Sequence, residues 1–207
     1  MLGIQMIDRI EYMHNKSLLH RDIKPGNFVL GLNEENHILY LIDVEFMKKY
    51  RSARTLKHIE FRENTEIIGN PFFSSINSLK GYEQSRRDDL EAIGYSLIYL
   101  LRGNLPWEGL KVRHRHELLR KILNLKESIP LEELCKGFPI EFSEYMDYTR
   151  KLEFEQEPDY KYLKWLFYNV LYKYNYEFDF WYDWVKEKPN IKDIISIERY
   201  INRNVIK

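Results

Sequence analysis

His20-Arg21-Asp22-Ile23-Lys24-Pro25-Gly26-Asn27 is the stretch on which the reading of this chain turns. It sits between two different periodicities. Before it, Leu2, Met6, Ile10 and Met13 recur at helical spacing and predict an uncapped helix from the start of the sequence to about Asn15. After it, Phe28-Val29-Leu30 and Ile38 to Ile42 flank the polar run Gly31-Leu32-Asn33-Glu34-Glu35-Asn36, which predicts a small β-hairpin. Asp43 closes the second strand, sixteen residues after Asn27. Three of these side chains therefore share one loop, and the fourth stands at a strand end.

That residue set suits phosphoryl transfer. The reaction asks little covalent chemistry of a protein. It needs an oriented hydroxyl, metal ions on the phosphates and cations on the developing charge. Asp22 can orient a hydroxyl and take its proton. Lys24, two residues on in an extended loop, points the same way and can meet the transferring phosphate. Asn27 offers a neutral oxygen and Asp43 an anionic one to the same Mg²⁺. The set coincides with the general protein-kinase template, from which these roles are taken. His-Arg-Asp alone would be a weak signal. The full spacing between a helix and a hairpin is a strong one.

The rest of the chain supplies a scaffold. From Val44 to Lys80 there is little periodicity, only a basic half (Lys48, Lys49, Arg51, Arg54, Lys57) and then Gly69-Asn70-Pro71. Irregular stretches of this length tend to be functional. Leu90, Ile93, Leu97, Ile98 and Leu101 predict the most hydrophobic helix, over Asp88–Arg102, stopped by Gly103 and Pro106. Further helices are predicted at about His114–Lys126, Ile140–Leu152 and Asp159–Tyr174, the last with Pro158 and Asp159 as its start signal. β-Structure is expected only near Phe28–Ile42. The tail, with Trp181, Trp184 and Tyr200, is expected to pack on the domain and to end in a helix at Ile191–Asn202. The fold class that follows is mainly α with a short β-pair.

Composition narrows the class. Lys+Arg and Asp+Glu are both 32, so a global basic field for nucleic acid is excluded. Aromatic residues at 15% give the chain apolar surface to bury, which argues against extensive disorder. Cys135 is the sole cysteine, so no internal disulfide framework or cysteine-rich zinc site can form. His114 and His116 stand two apart, a spacing that does not suit a metal site on a helix. No segment approaches the roughly 20 apolar residues of a membrane span. A cytoplasmic or nuclear location is expected by default, with no membrane partner.

Further segments carry a resemblance. They are Lys48-Lys49-Tyr50-Arg51, Ala53-Arg54-Thr55, Arg62-Glu63-Asn64, Ser75-Ile76-Asn77 and Glu83-Gln84-Ser85-Arg86-Arg87-Asp88-Asp89-Leu90-Glu91. To these add Leu105-Pro106-Trp107-Glu108-Gly109-Leu110-Lys111, Leu134-Cys135-Lys136-Gly137 and Pro158-Asp159-Tyr160. With His20–Asn27 they resemble the C-terminal lobe of the casein kinase 1 family of eukaryotic serine/threonine protein kinases. Ser-Ile-Asn stands where other kinases have Ala-Pro-Glu. The resemblance runs from the first helix to about Tyr174. It implies a kinase C-terminal lobe over residues 1–177 with a C-terminal tail at 178–207. It implies ATP and Mg²⁺ as cofactors and proteins as substrates or partners. It assigns catalysis to Asp22 and Lys24, metal and nucleotide binding to Asn27 and Asp43, and structural roles to His20, Arg21 and Asp89. Asp89 would bond the backbone near His20 and Arg21. A plain helix N-cap is the alternative for it.

The chain departs from the family pattern in several places. Only 19 residues precede His20, and no Gly-x-Gly-x-x-Gly or strand lysine in a Val-Ala-Ile-Lys context occurs. The N-terminal lobe that covers ATP is therefore expected to be absent. The metal loop Asp-Phe-Gly reads Asp43-Val44-Glu45. Val44 loses a ring that packs between lobes. Glu45 replaces a residue that adopts positive φ freely, and either adds an anion near the metal or points to solvent. Gly69-Asn70-Pro71-Phe72-Phe73-Ser74 stands for the usual Gly-Thr-Ala-Arg-Tyr-Ala. Phe72 then takes the place of an arginine that reads phosphate on primed substrates. Asn70 replaces a threonine that links the catalytic Asp to the Lys. Three readings remain: a truncated casein kinase 1-like kinase inactive in isolation, a pseudokinase lobe that binds proteins, and an unrelated helical interaction domain.

Overall fold

The computed structural model describes residues 1–185, so the helix predicted at Ile191–Asn202 lies outside the described residues. Seven helices and four short strands follow one another within them.

Helix α3, Arg86–Arg102, is the centre of the fold. Its first turn is fixed by Asp88, whose Oδ2 accepts from the Ser85 backbone N–H at 2.7 Å. It ends at Gly103, which takes the left-handed conformation at φ 84° that a C-terminal stop favours. Nearly every position from Arg86 to Ile98 is buried, so this helix is enclosed on all sides rather than on one face. Helices α1 (Leu2–Asn15) and α6 (Ile140–Lys151) pack on it, and α7 (Tyr160–Lys173) packs on both of them. Ile4, Ile7, Ile10, Leu90, Ile93, Ile98, Leu163 and Leu166 form the shared core. Gly94 lets side chains of α6 approach α3 closely. A Cβ there would lie 2.1 Å from the Met146 sulfur. Asp159 caps α7 by accepting from the Tyr162 N–H at 2.9 Å.

The buried part of α1 keeps Met6 and Ile10 from the predicted stripe but is wider than that stripe. Gly3, Ile7, Ile10 and His14 face inward, while Leu2 and Met13 are only half-buried. Gly3 admits Leu97 and Phe167, each 3.2 Å from where its Cβ would stand. His14 continues the stripe as a polar member, which hides it from a count of apolar residues.

The hairpin pairs β2 (Phe28–Leu30) with β3 (Leu39–Leu41) in antiparallel register, Phe28 opposite Leu41. Its open edge is not left bare. Gln5 Oε1 accepts from the Leu39 N–H, and Arg9 Nε donates to the Leu39 carbonyl, both at 2.9 Å. The α1 side chains thus complete the backbone bonding of an edge strand.

β-Structure is not confined to that region, contrary to the sequence expectation. Strand β1 (Leu18–Leu19) pairs with β4 (Lys48–Lys49), and a bridge joins Arg51 to His58. Two-residue strands are too short to display an alternation. The four-residue helices α2 (Ile76–Leu79) and α5 (Leu131–Leu134) escape periodicity for the same reason. Helix α4 is Arg115–Ser128. Beyond α7, Phe180, Tyr182 and Val185 pack against Met1, Leu2 and Phe178. The tail is pinned there by Gln5 Nε2 donating to the Tyr182 hydroxyl at 2.9 Å. No described helix is long and apolar enough to cross a membrane.

Candidate active site

Asp22 lies in the loop between β1 and β2, and its side chain is almost fully buried. Three groups converge on it. The Asn70 backbone N–H donates to Oδ1 at 2.8 Å, Lys24 Nζ approaches Oδ2 at 2.5 Å, and Asn27 Nδ2 approaches Oδ2 at 3.2 Å. Asn27 Nδ2 also donates to the Asp22 carbonyl at 2.8 Å. The amide of Asn27 is thereby held with its nitrogen toward Asp22, which leaves its oxygen for another partner. Asp22, Lys24 and Asn27 form one contact group. Charge-assisted bonds of this kind fix a carboxylate more firmly than neutral ones do.

Beneath this group lies a buried polar chain. Asp89 Oδ1 accepts from the Arg21 N–H at 2.8 Å, and Oδ2 accepts from the His20 N–H at 2.9 Å. His14 Nε2 meets the same Oδ2 at 3.0 Å, and its Nδ1 meets the Tyr160 hydroxyl at 2.7 Å. Burial holds the His14 pKa below the ordinary 6.5, with Asp89 pulling the other way. The imidazole that results donates from Nε2 to Asp89 and accepts at Nδ1 from Tyr160. Burial works against the Asp89 carboxylate, but its bonds to His14 and His20 outweigh that and keep its pKa below 3.8. Asp89 is thus a buried anion satisfied by two backbone amides and an imidazole. It is not a cap of α3; Ser85 is the N-cap, and Asp88 at the third helical position bonds back to its N–H.

His20 is fully buried and bridges the loop to the hairpin, with Nε2 3.0 Å from the Ile42 carbonyl. Its Nδ1 lies 3.3 Å from the Asp22 N–H. Arg21 sits at φ 69° and donates from Nε to the Phe46 carbonyl at 2.6 Å. The His20–Asn27 loop and the segment around Asp43 are therefore tied by Arg21 as well as by His20.

Asp43 is placed differently. The Ile42 N–H donates to the Asn27 carbonyl at 2.9 Å, one residue pair beyond β2 and β3. That bond sets Asp43 beside Asn27. The Asp43 side chain is exposed and has no hydrogen-bond partner among the described residues. Val44 and Glu45 are exposed too, with Val44 53% open. The expected difficulty at Glu45 does not arise. Positive φ falls on Asp43, at 66°, and Asp tolerates that conformation better than most residues.

Segment 69–75 closes the site from the other side. Gly69 takes φ +88°, and a Cβ there would stand 2.4 Å from the Arg21 carbonyl. Only glycine lets the chain pass so near, and that passage delivers the Asn70 amide to Asp22. The Asn70 side chain makes no link to Lys24. Its Oδ1 accepts from the Phe72 N–H at 3.0 Å, so the link to Asp22 runs through the backbone. Phe72 packs against the core, and its carbonyl accepts from Trp107 Nε1 at 2.8 Å. Ser75, the first residue of Ser-Ile-Asn, bonds Asp88 Oδ1 at 2.5 Å and caps α2 by accepting from the Ser78 N–H at 2.9 Å. Burial pushes the Asp88 pKa up to about 7, with Ser75, Arg87 and Ser85 opposing it.

The family model for the protein kinase domain matches residues 2–163. The chain belongs to the protein kinase family. The match starts with α1 and ends inside α7, so it takes in the loop, the hairpin and the buried α3 that anchors them. Kinases use ATP and Mg²⁺, and the residues present fit such a group. Asn27 keeps an amide oxygen free and Asp43 an uncommitted carboxylate, two hard donors on adjacent strand ends. Among the described residues no cluster of three or more His, Cys, Asp or Glu is arranged for a metal. Magnesium commonly takes one or two protein oxygens and completes its shell with phosphate oxygens and water.

His14, Gly69 and the Asn70 backbone amide were not evident as site groups in the sequence. Gly69 carried a usable signal, since a glycine just before an irregular turn marks close backbone approach. His14 carried a weaker one, four residues after Ile10 on the buried stripe.

Proposed function

We propose that this chain is the substrate-orienting lobe of a casein kinase 1-like serine/threonine kinase acting on proteins with ATP and Mg²⁺. The observation that carries this reading is the buried Asp22 carboxylate, fixed by the Asn70 amide, Lys24 and Asn27. In that arrangement Asp22 is aimed rather than mobile. It can orient a substrate hydroxyl and take its proton, while Lys24 neutralises charge on the transferring phosphoryl group. Asn27 and Asp43 would hold the metal that bridges the phosphates. His20, Arg21 and Asp89 act as positioning residues beneath the loop. Ser75-Ile76-Asn77 and the Ser85–Glu91 run support the narrower family assignment.

For the 207-residue chain taken alone we propose phosphate transfer at background rate. It carries no glycine-rich phosphate loop, and Glu45 adds a negative charge next to the metal-side carboxylate. A second reading, a pseudokinase lobe that scaffolds other proteins, is favoured by the exposed apolar side chains Ile42, Val44 and Met47 at the hairpin end.

The test is labelling of casein with ATP and Mg²⁺ by the chain alone and by the chain fused behind a casein kinase 1-type N-terminal lobe. The kinase reading expects background labelling from the first and clear labelling from the second, abolished by Asp22→Ala. A fusion that folds and binds ATP but does not label selects the scaffold. Strong labelling by the chain alone, lost in Asp22→Ala, overturns the proposed inactivity.

A further inference from the structure

The site has a support that the loop motif does not contain. Lys126, on α4, is fully buried. Its ammonium lies 4.1 Å from the ring centre of Tyr95 and 4.8 Å from that of Trp107. No carboxylate stands within ion-pair distance of it among the described residues. Glu91, which accepts from the Tyr95 hydroxyl at 2.6 Å, and Arg150 are the nearby charges, and they act on it in opposite senses. Burial pushes its pKa well below the usual lysine range. A buried lysine without a paired acid is costly unless it is bonded elsewhere.

What it bonds is one turn. Lys126 Nζ reaches the Ser74 carbonyl at 2.5 Å and the Pro71 carbonyl at 3.3 Å. The turn between them is closed by Asn70, whose carbonyl accepts from the Phe73 N–H, the Ser74 N–H and the Ser74 hydroxyl, each at 3.0 Å. The same Asn70 presents its own N–H to Asp22. Two donors on Nζ satisfy both carbonyls in either protonation state, while the two rings favour the charged form.

We infer that Lys126 is a positioning residue for Asp22: it grips the 71–74 turn from behind and so holds the Asn70 amide against the carboxylate. This rests on the reading of Asp22 as the hydroxyl-orienting group. A side chain of similar length without N–H donors would leave two inward carbonyls unbonded. The turn would then relax, and the Asn70 amide would lose its fixed direction. The pull is exerted across α4, some distance from the loop in sequence, through backbone groups only.

The experiment is backbone amide exchange on the intact chain, wild type against Lys126→Met, with the ¹³C resonance of the Asp22 carboxyl recorded at one pH. The amides of Asn70, Phe73 and Ser74 should exchange about tenfold faster or more, as expected when a bonded turn opens locally. Amides of α7 should keep their rates, and the Asp22 resonance should move. Rates at 70–74 within about twofold of wild type, with an unmoved Asp22 resonance, overturn the inference. Should Lys126→Met not fold, the wild-type Nζ protons decide. Slow exchange supports the grip, and exchange as fast as at surface lysines overturns it. These readouts are independent of turnover, so the catalytic reading of Asp22 stands or falls separately on the labelling by Asp22→Ala.

Discussion

The two halves of the site are built in opposite ways. Around Asp22 every group is tied: to Asn70, Lys24 and Asn27 above, and through His20, Arg21 and Asp89 to His14 and Tyr160 below. Around Asp43 the backbone is tied, through Ile42 and Phe46, but the side chains are not. Its carboxylate is exposed, and Val44 and Glu45 follow it into solvent. Under the proposed function, the hydroxyl side of the chemistry would be preorganised by the fold, whereas the phosphate side would wait for its ligands to organise it. The lesson is that the two halves of this site are held by different means. Mutations should separate the two.

The largest effect is expected at the base of the tied half. Asp89→Ala removes the acceptor of two buried amides and the partner of His14. Breaking such a buried group should cost about 3–5 kcal/mol. That corresponds to a fall in thermal midpoint of roughly 6–20 °C for a domain of this size, readable by circular dichroism. A fall below about 2 °C would show that the buried chain does not hold the loop.

Gly69→Ala should come next. It forces a side chain into φ +88° and against the Arg21 carbonyl. A loss of about 2 kcal/mol, or ~4–8 °C, is expected. An unchanged midpoint would mean that segment 69–75 shifts without strain.

The pH profile sharpens the contrast within the tied half itself. Folded His14 resists the proton that the unfolded chain accepts near 6.5, so its contribution to stability declines as pH falls below about 6.5. Asp88 has the opposite sign. Its pKa rises from 3.8 unfolded to about 7 folded, so its contribution declines as pH rises through that window. Denaturant melts of His14→Gln and Asp88→Asn should therefore differ from wild type by amounts that change with pH in opposite directions. Parallel differences would mean that one of the two groups is solvated.

The smallest effect is expected in the open half. Asp43→Ala should alter stability by less than about 0.5 kcal/mol. Millimolar ATP-Mg²⁺ should raise the wild-type midpoint by only about 1–2 °C, and Asp43→Ala should abolish that rise. A shift many times larger would show an enclosed nucleotide site in this chain.

How much of this could be read from the sequence followed length and locality. Helix α3 has enough residues for a periodicity to emerge, and the hairpin shows as two apolar runs about a polar turn, so their positions are legible within a few residues. β1, β4, α2 and α5 are too short for any pattern, and they are held by contacts between distant segments, as when Tyr50 donates to the His14 carbonyl at 2.9 Å. In the site, Asp22, Lys24 and Asn27 are legible together because they share one loop. The contributions of His14, the Asn70 amide and Lys126 are not. Each acts through a backbone group or through burial, and neither leaves a residue-type signature at a fixed spacing.

The contact between Gln5 and Tyr182 has a consequence for how the chain is made. The two residues are 177 apart in sequence. At synthesis rates of about 5–20 residues per second, the interval between their emergence is roughly 9–35 s. During that time α1 leaves the ribosome with the apolar patch around Leu2 uncovered, and the tail that covers it does not yet exist. A nascent chain stalled before Phe178 should therefore hold holdase chaperones that a chain released after Val185 lets go.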